Sequence, residues 1–344
     1  MKLHNTINGE ELKEKIKNST EKRTTISFYK YAKIGNPQLF RDHLYYHWMQ
    51  LGVLGRIYIA NEGINAQLSL PSANLEPFKQ TLSDITFLDG VRLNYAVDDD
   101  GKSFFKLAIK VREKIVADGL KEDVLNEYGP APYLDVERFN EITENPDAIL
   151  IDMRNHYESE VGHFKGAWCP DVDTFREQLP VIVNELAEKK DKPVIMYCTG
   201  GIRCEKASAY LKHKGFTDVY HLEGGIIKYS RDAKEKGLPN KFIGKNFVFD
   251  ERLHERITDD VIAHCHQCGE TYDEHVNCKN KACNLLFIQC PQCAEKYNHC
   301  CSEECATIAA LPEEEQRELR KGKDTGVRIF SKGRFKDNTK TQSS

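Results

Sequence analysis

Apolar and polar positions change period several times along the chain, and the changes mark out its elements. Residues 24–31 alternate apolar with polar, the pattern of a half-buried strand. Over 38–51, apolar residues at 39, 40, 44, 48 and 51 form the stripe of an amphipathic helix. Residues 55–60 and 64–69 read as two strands around the turn Asn61-Glu62-Gly63. A helix over 72–85 follows, with Ser72 or Asn74 as its cap, then strands at 91–97 and 104–111. The order βαββαβ(β) is that of a ferredoxin-like sandwich, a fold that by itself says little about function. A linker over 119–132, ending in Gly-Pro-Ala-Pro, separates this part from the next. There, short apolar strands at 148–152, 193–197 and 218–222 alternate with helices near 174–189 and 204–214. That alternation predicts a parallel sheet covered on both faces, in which ligands bind at the carboxyl ends of the strands.

The most informative stretch lies at one such end: Tyr197-Cys198-Thr199-Gly200-Gly201-Ile202-Arg203-Cys204, with a helix expected from Glu205 to Lys212. A strand that ends in cysteine and turns straight into a helix aims backbone N–H groups and the positive helix end at the sulfur. Such a cradle stabilises a thiolate and makes it a nucleophile. Gly200 and Gly201 supply the backbone freedom and Arg203 a donor for an anion held in the loop. Cys204 has two readings: a thiol that resolves an oxidised Cys198, or a buried residue on the helix face continued by Ala207, Ser208 and Leu211. The surrounding motifs are Asp152-Met-Arg154, Glu158, Gly162-His163-Phe164-Lys165-Gly166-Ala167 and Leu222-Glu-Gly-Gly-Ile226. Together they resemble the rhodanese-like domain over roughly 130–240. The loop is Cys-x4-Arg, like that of sulfurtransferases. Cysteine phosphatases use Cys-x5-Arg, so a phosphatase is disfavoured.

A second cysteine pattern occupies 265–305, where nine of the twelve cysteines fall: Cys265 and Cys268, Cys278 and Cys283, Cys290 and Cys293, then Cys300, Cys301 and Cys305. Closely spaced thiolate pairs each grip one side of a tetrahedral metal, so four half-sites predict two structural zinc sites with four cysteines each. One of Cys300, Cys301 and Cys305 is then spare; His264, His266, His275 and His299 are possible substitutes. The run lacks the Cys-x2-Cys-x2-Cys spacing common in ferredoxins, which disfavours an iron–sulfur cluster. Spacing alone leaves the pairing open.

Composition adds three constraints. With 344 residues, 40% hydrophobic and 30% charged, the chain reads as a soluble protein of two or three domains. No apolar run reaches a membrane span and Met1-Lys-Leu-His-Asn-Thr6 carries no signal-peptide core, so the expectation is a cytoplasmic protein with reduced or metal-bound cysteines. The net charge of −4 hides an uneven distribution, since 320–344 hold eight Lys or Arg against two Asp. This basic tail is expected to be disordered and fit to hold phosphates. Lys30, Tyr31, Lys33, Arg41, Lys106, Lys110, Arg112 and Lys114 are candidates for a nucleic-acid face on the N-terminal domain.

Taken with Ile57-Tyr-Ile-Ala-Asn-Glu-Gly-Ile-Asn65 and Phe247-Val-Phe-Asp-Glu-Arg252, the loop and the cysteine spacing resemble the bacterial tRNA uridine(34) hydroxylase family over nearly the whole chain. The resemblance implies a ferredoxin-like domain at 1–120, a rhodanese-like domain at 130–240, a zinc-binding module at 245–312 and a basic tail at 313–344. It implies oxygen-dependent formation of 5-hydroxyuridine at the tRNA wobble position, with Cys198 as the required cysteine and the anticodon loop as partner. Thiolate addition to C6 of uracil, or an activated oxygen or sulfur species on Cys198, are the chemical routes. Arg203 and the loop amides would steady the developing anion. The chain holds no Gly-x-Gly-x-x-Gly dinucleotide fingerprint, and so no flavin or nicotinamide motif. Molecular oxygen is the co-substrate so implied; the oligomeric state is not set by any of this. Two rivals stay open: a sulfurtransferase carrying a persulfide on Cys198, and a non-catalytic RNA-binding protein.

Overall fold

The computed structural model describes residues 5, 7–121 and 123–321. A short helix, α1 (Gly9–Lys17), is capped by the Asn8 side chain and leads into a five-stranded sheet. The elements that follow are β1 (Arg23–Tyr31), α2 (Pro37–Gln50), β2 (Leu54–Ala60), β3 (Gly63–Pro71), α3 (Leu75–Ser83), β4 (Asn94–Tyr95) and β5 (Leu107–Val111). Their order across the sheet is β4-β1-β3-β2-β5, antiparallel except for β5, which runs parallel to β2. Ile26 and Phe28 of β1 pack with Ile57 and Ile59 of β2 into one core with Trp48 of α2 and Phe78 of α3. Each such burial is worth about 1.5–3 kcal/mol. The strand period of two sends Ser27, Tyr29, Arg56, Tyr58, Asn65 and Gln67 to the opposite face. That face turns to the loop that follows Cys198.

Three local expectations are corrected here. The strand at 91–97 shrinks to Asn94–Tyr95, because the Val97 N–H donates to the Glu255 carboxylate instead of to a neighbouring strand. The helix expected over 72–85 opens with a single tight turn, Ser72–Asn74. Asn74 does not cap it, since its amide donates to the Leu51 carbonyl.

The stretch read as a linker contains a further helix, α4 (Val124–Tyr128), whose carbonyl end receives the ammonium of Lys212. Next come β6 (Tyr133–Leu134), α5 (Val136–Ile142), β7 (Ile149–Asp152), α6 (His156–Ser159), β8 (Gly162–Phe164), α7 (Phe175–Glu185), β9 (Val194–Tyr197), α8 (Ile202–His213), β10 (Val219–Leu222) and α9 (Gly225–Lys236). Four of the strands form a parallel sheet in the order β6-β10-β9-β7. One core under α7 and α8 and another under α5 and α9 cover its two faces. Every residue of β9 is therefore buried, which accounts for its unbroken apolar sequence.

The remaining chain is stitched on by β11 (Phe242–Phe247), which pairs antiparallel with β8 and with β12 (His254–Arg256). A hairpin of β13 (His275–Asn277) and β14 (Leu286–Ile288) then carries the cysteine-rich loops, with α10 (Pro291–Lys296) and α11 (Glu303–Ala309) after it. Part of the expected disordered tail is helical, as α12 (Glu313–Arg320). Residues 322–344, the rest of that tail, lie outside the described residues. No described helix is long and apolar enough to cross a membrane.

Candidate active site

Cys198 follows β9 directly and is 1% exposed. Helix α8 begins at Ile202, a turn earlier than expected, so its first N–H groups face the sulfur. The Gly201 N–H donates to Cys198 Sγ at 3.1 Å. Burial opposes the thiolate, yet hydrogen bonding from the Cys204 side chain, the Arg203 charge and the N–H groups of Arg203 and Gly201 outweigh it. The Cys198 thiol is pulled down to about 6. Gly201 alone of the glycine pair takes the left-handed region, with φ +104°. The loop is locked from behind by α9: Ile226 and Ile227 N–H donate to the Cys198 and Thr199 carbonyls at 3.0 and 3.2 Å. A Cβ on Gly225 would fall 2.4 Å from the Cys198 carbonyl oxygen, which gives the Gly-Gly-Ile motif its reason.

Arg203 does not stand free over the loop as an anion donor. Its guanidinium is bidentate to Glu158, at 2.6 and 2.8 Å, and both side chains are buried. What it offers the sulfur is its backbone N–H and a fixed positive charge. Glu158 also closes a capping box with Asn155 at the start of α6. Asp152 and Arg154 form a second buried bidentate pair, with Arg154 also donating to the Gly162 carbonyl at 2.6 Å. Cys204 is fully buried against the core shared with Ala207 and Leu211. Burial, then its bond to Cys198, push the Cys204 thiol well above its usual value, so it keeps its proton and donates to the thiolate. Cys169 is likewise pushed up to about 12 by burial and by Asp152.

The open face of the N-terminal sheet roofs this loop. Tyr29 Oη donates to Glu205 at 2.8 Å and would lie 2.9 Å from a Cβ on Gly201. Burial and the Glu205 carboxylate hold the Tyr29 phenol well above its usual range, so it stays a donor. Tyr31 Oη donates to the Ile202 carbonyl at 3.2 Å, and the Asn94 amide reaches the Gly200 carbonyl at 3.4 Å. Lys206 of α8 bridges Glu62 and Asp118 at 2.5 and 2.7 Å. Between roof and loop lies a cavity of about 510 Å³ that has Cys198, Thr199 and Arg203 on one wall and Tyr29, Asn65 and Tyr58 on the other. The N-terminal cations expected to form one nucleic-acid face are divided. Arg41 pairs with Asp42 and Lys114 with Asp118, while Lys110 and Arg112 stay exposed.

The clustered cysteines sort into two groups, Cys265, Cys268, Cys290 and Cys293, and Cys278, Cys283, Cys301 and Cys305. The pairs interleave along the chain, first with third and second with fourth. Cys300 belongs to neither group; its buried thiol donates to the Asn298 carbonyl at 3.6 Å. Sulfur separations of 3.6, 3.7 and 3.8 Å within the groups are far from a disulfide and match the roughly 3.8 Å edge of a tetrahedron with metal–sulfur bonds of about 2.3 Å. The donor set therefore fits a metal ion in each group. None of the four histidines considered as substitutes is in a group. His266 and His275 instead place Nε2 3.0 and 3.1 Å from Glu160, and His156 joins them. Burial opposes the Glu160 charge, but hydrogen bonds from these three rings hold its carboxyl well below the usual range.

Sequence reasoning gave no role to Tyr29, Asn94, Glu205, Lys206 or Glu160, and Glu158 was noted without one. The signal for one contact was present: Glu62 sits in the Asn-Glu-Gly-Ile-Asn turn and anchors both Lys206 and the Ile115 N–H.

A cysteine loop at the carboxyl end of a parallel sheet, closed by a Gly-Gly helix start, defines a rhodanese-like domain. Residues 135–232 match the family described as Rhodanese-like domain, 23–115 the UPF0176 acylphosphatase like domain and 243–306 Rhodanase C-terminal. Over its length the chain is 57% identical to a protein of Photorhabdus laumondii, covering 97% of this chain and 95% of that one. A protein of Pectobacterium carotovorum is 58% identical over 96% and 94%, and one of Escherichia fergusonii 57% over 98% and 97%. All three are named tRNA uridine(34) hydroxylase. The chain belongs to the tRNA uridine(34) hydroxylase family.

Proposed function

We propose that the protein hydroxylates C5 of the wobble uridine, position 34 of tRNA, in the cytoplasm, with Cys198 as the reacting group and molecular oxygen as co-substrate, one oxygen atom going to C5 and the other leaving as water with two electrons and two protons from an external reductant. The observation that carries the reading is the cradled sulfur of Cys198, which accepts from the Gly201 N–H and faces the cavity. Cys198 lies on the wall of a cavity that is partly open to solvent, with its thiol drawn down to about 6, in a chain of this family. The C5–C6 bond of uracil is conjugated to the C4 carbonyl, so a thiolate adds at C6 and leaves C5 electron-rich. The Gly201 and Arg203 N–H groups hold the sulfur before attack, and the same thiolate is a good leaving group when the ring is restored. The wobble base sits in a single-stranded loop, so placing it in the cavity costs little unstacking. Zinc is the ion assigned to the two four-cysteine groups, in a structural role, because all-thiolate tetrahedral sites leave no open position for a substrate.

The test is nucleoside mass spectrometry of tRNA from cells lacking this gene, complemented with the wild-type chain or with Cys198→Ser, with and without air. The reading predicts that 5-hydroxyuridine and nucleosides built on it return only with the wild-type chain and only in air. If they are unchanged while a thiolated nucleoside such as 2-thiouridine is lost, the protein is a sulfurtransferase.

A further inference from the structure

We infer that the open face of the N-terminal sheet carries the single-stranded RNA of the anticodon loop, with Tyr58 as a stacking surface and Arg56, Lys110 and Arg112 as phosphate contacts. The inference deepens the proposed function and rests on its tRNA substrate. It starts from strand register. Tyr29 of β1 is paired with Asn65 of β3, Asn65 with Tyr58 of β2, and Tyr58 with Lys110 of β5. Paired residues share a face, so these four side chains form one row across four strands, about 14 Å long at the usual strand spacing. The row begins over the catalytic loop, where Tyr29 meets Gly201, and ends at the exposed sheet edge. Its first three members line the cavity that contains Cys198.

The cations stand beside the outer half of this row. Arg56 is paired with Gln67 in the adjacent row on the same face, and the Arg112 guanidinium lies 5.9 Å from the centre of the Tyr58 ring. Arg56, Lys110 and Arg112 are exposed, and among the described residues no carboxylate forms an ion pair with any of them. This sets them apart from Arg41, Lys114 and Lys206, which are held by Asp42, Asp118 and Glu62. Three unneutralised cations beside a half-exposed tyrosine, continuous with a cavity holding a nucleophile, have the chemistry of a single-strand RNA platform. Stacking is read by the ring, backbone charge by the cations, and a splayed base passes inward over Asn65 and Tyr29.

The experiment measures binding of a labelled anticodon stem-loop RNA carrying U34 to the full chain over a salt series. It compares wild type with Arg56→Gln, Lys110→Gln, Arg112→Gln and Tyr58→Ala, and monitors Cys198 alkylation as a check that each variant keeps the folded loop. Each cation variant should weaken binding several-fold and reduce the slope of log K against log salt by about 1. Tyr58→Ala should weaken it about tenfold with the slope unchanged. Alkylation rates should match wild type in all four. If all four variants bind like wild type while the wild-type chain binds RNA and forms 5-hydroxyuridine, the surface is wrong and the proposed function stands. If the wild-type chain neither binds the stem-loop nor forms the nucleoside, both fall.

Discussion

Cys198 and the clustered cysteines are the same side chain put to opposite uses, and the difference lies in what surrounds each sulfur. Cys198 has no thiolate neighbour; its negative charge is met by the N–H groups of Gly201 and Arg203, a fixed guanidinium and the protonated Cys204. In the C-terminal module each of the eight grouped sulfurs has three others within 4.8 Å, an arrangement of like charges that a metal ion makes favourable. One environment leaves the sulfur's electron pair available to an electrophile. The other commits it to a bond. Under the proposed function, reactivity in this chain follows from backbone and charge at one cysteine, not from cysteine content.

The largest expected effect that tests this contrast is at Cys198. Cys198→Ser should lower 5-hydroxyuridine formation by on the order of 10³-fold or more, the scale of removing a nucleophile. Native mass spectrometry should still find two metal ions per chain, and an intact metal count with full activity would break the contrast. A cluster variant should do the reverse. Cys290→Ser is expected to lose one metal ion and, since structural zinc binding is worth about 10 kcal/mol or more, to unfold its half of the module. Circular dichroism melting and metal content together check this; retention of both ions would refute the interleaved grouping.

A middle-sized effect is expected at Glu158→Gln. Breaking a buried pair of this kind costs about 3–5 kcal/mol, so the melting temperature falls. Removing the carboxylate also leaves the Arg203 charge uncompensated beside the sulfur, so the Cys198 alkylation midpoint should move down, whereas Arg203→Gln should move it up. The same direction for both variants would show that the guanidinium does not set the thiolate. The smallest effect is expected at Cys300→Ser, which keeps two metal ions and lowers stability by about 1–2 kcal/mol, the cost of a hydroxyl in a buried apolar cluster. Loss of an ion there would mean that Cys300 is a ligand.

Much of this was written locally and could be read. The unbroken apolar run of β9, the turn into α8 and the paired cysteines are short-range patterns, and the Cys-x4-Arg spacing separated the loop from that of phosphatases. What could not be read depends on residues far apart in the chain. Arg203 meets Glu158 across 45 positions and Tyr29 meets Glu205 across 176. Spacing predicted two metal sites but not that Cys265 and Cys268 close on Cys290 and Cys293, because Cys278 and Cys283 lie between them on a loop that folds away. The helix α4 was hidden by the Gly-Pro-Ala-Pro stretch after it; five residues have too little period to separate from a linker. The roofing face of the N-terminal sheet went unrecognised for a related reason: alternation shows that one face of a strand is polar, but not what it packs on.

The pH dependence of Cys198 alkylation tests the central claim, that the fold makes this one cysteine a thiolate, most directly. The native value lies below that of a free thiol, so the thiolate fraction, and with it the rate, should rise through a midpoint near 6 and be fully developed at neutral pH. The linked contribution to stability has the same sign: it is present in full above the free-thiol value and is lost as pH falls through about 6. Iodoacetamide labelling resolved by peptide mass spectrometry reads Cys198 apart from the other eleven cysteines. A midpoint near 6 at Cys198 is the result predicted; a midpoint at about 8.5, where an ordinary thiol titrates, would contradict the account.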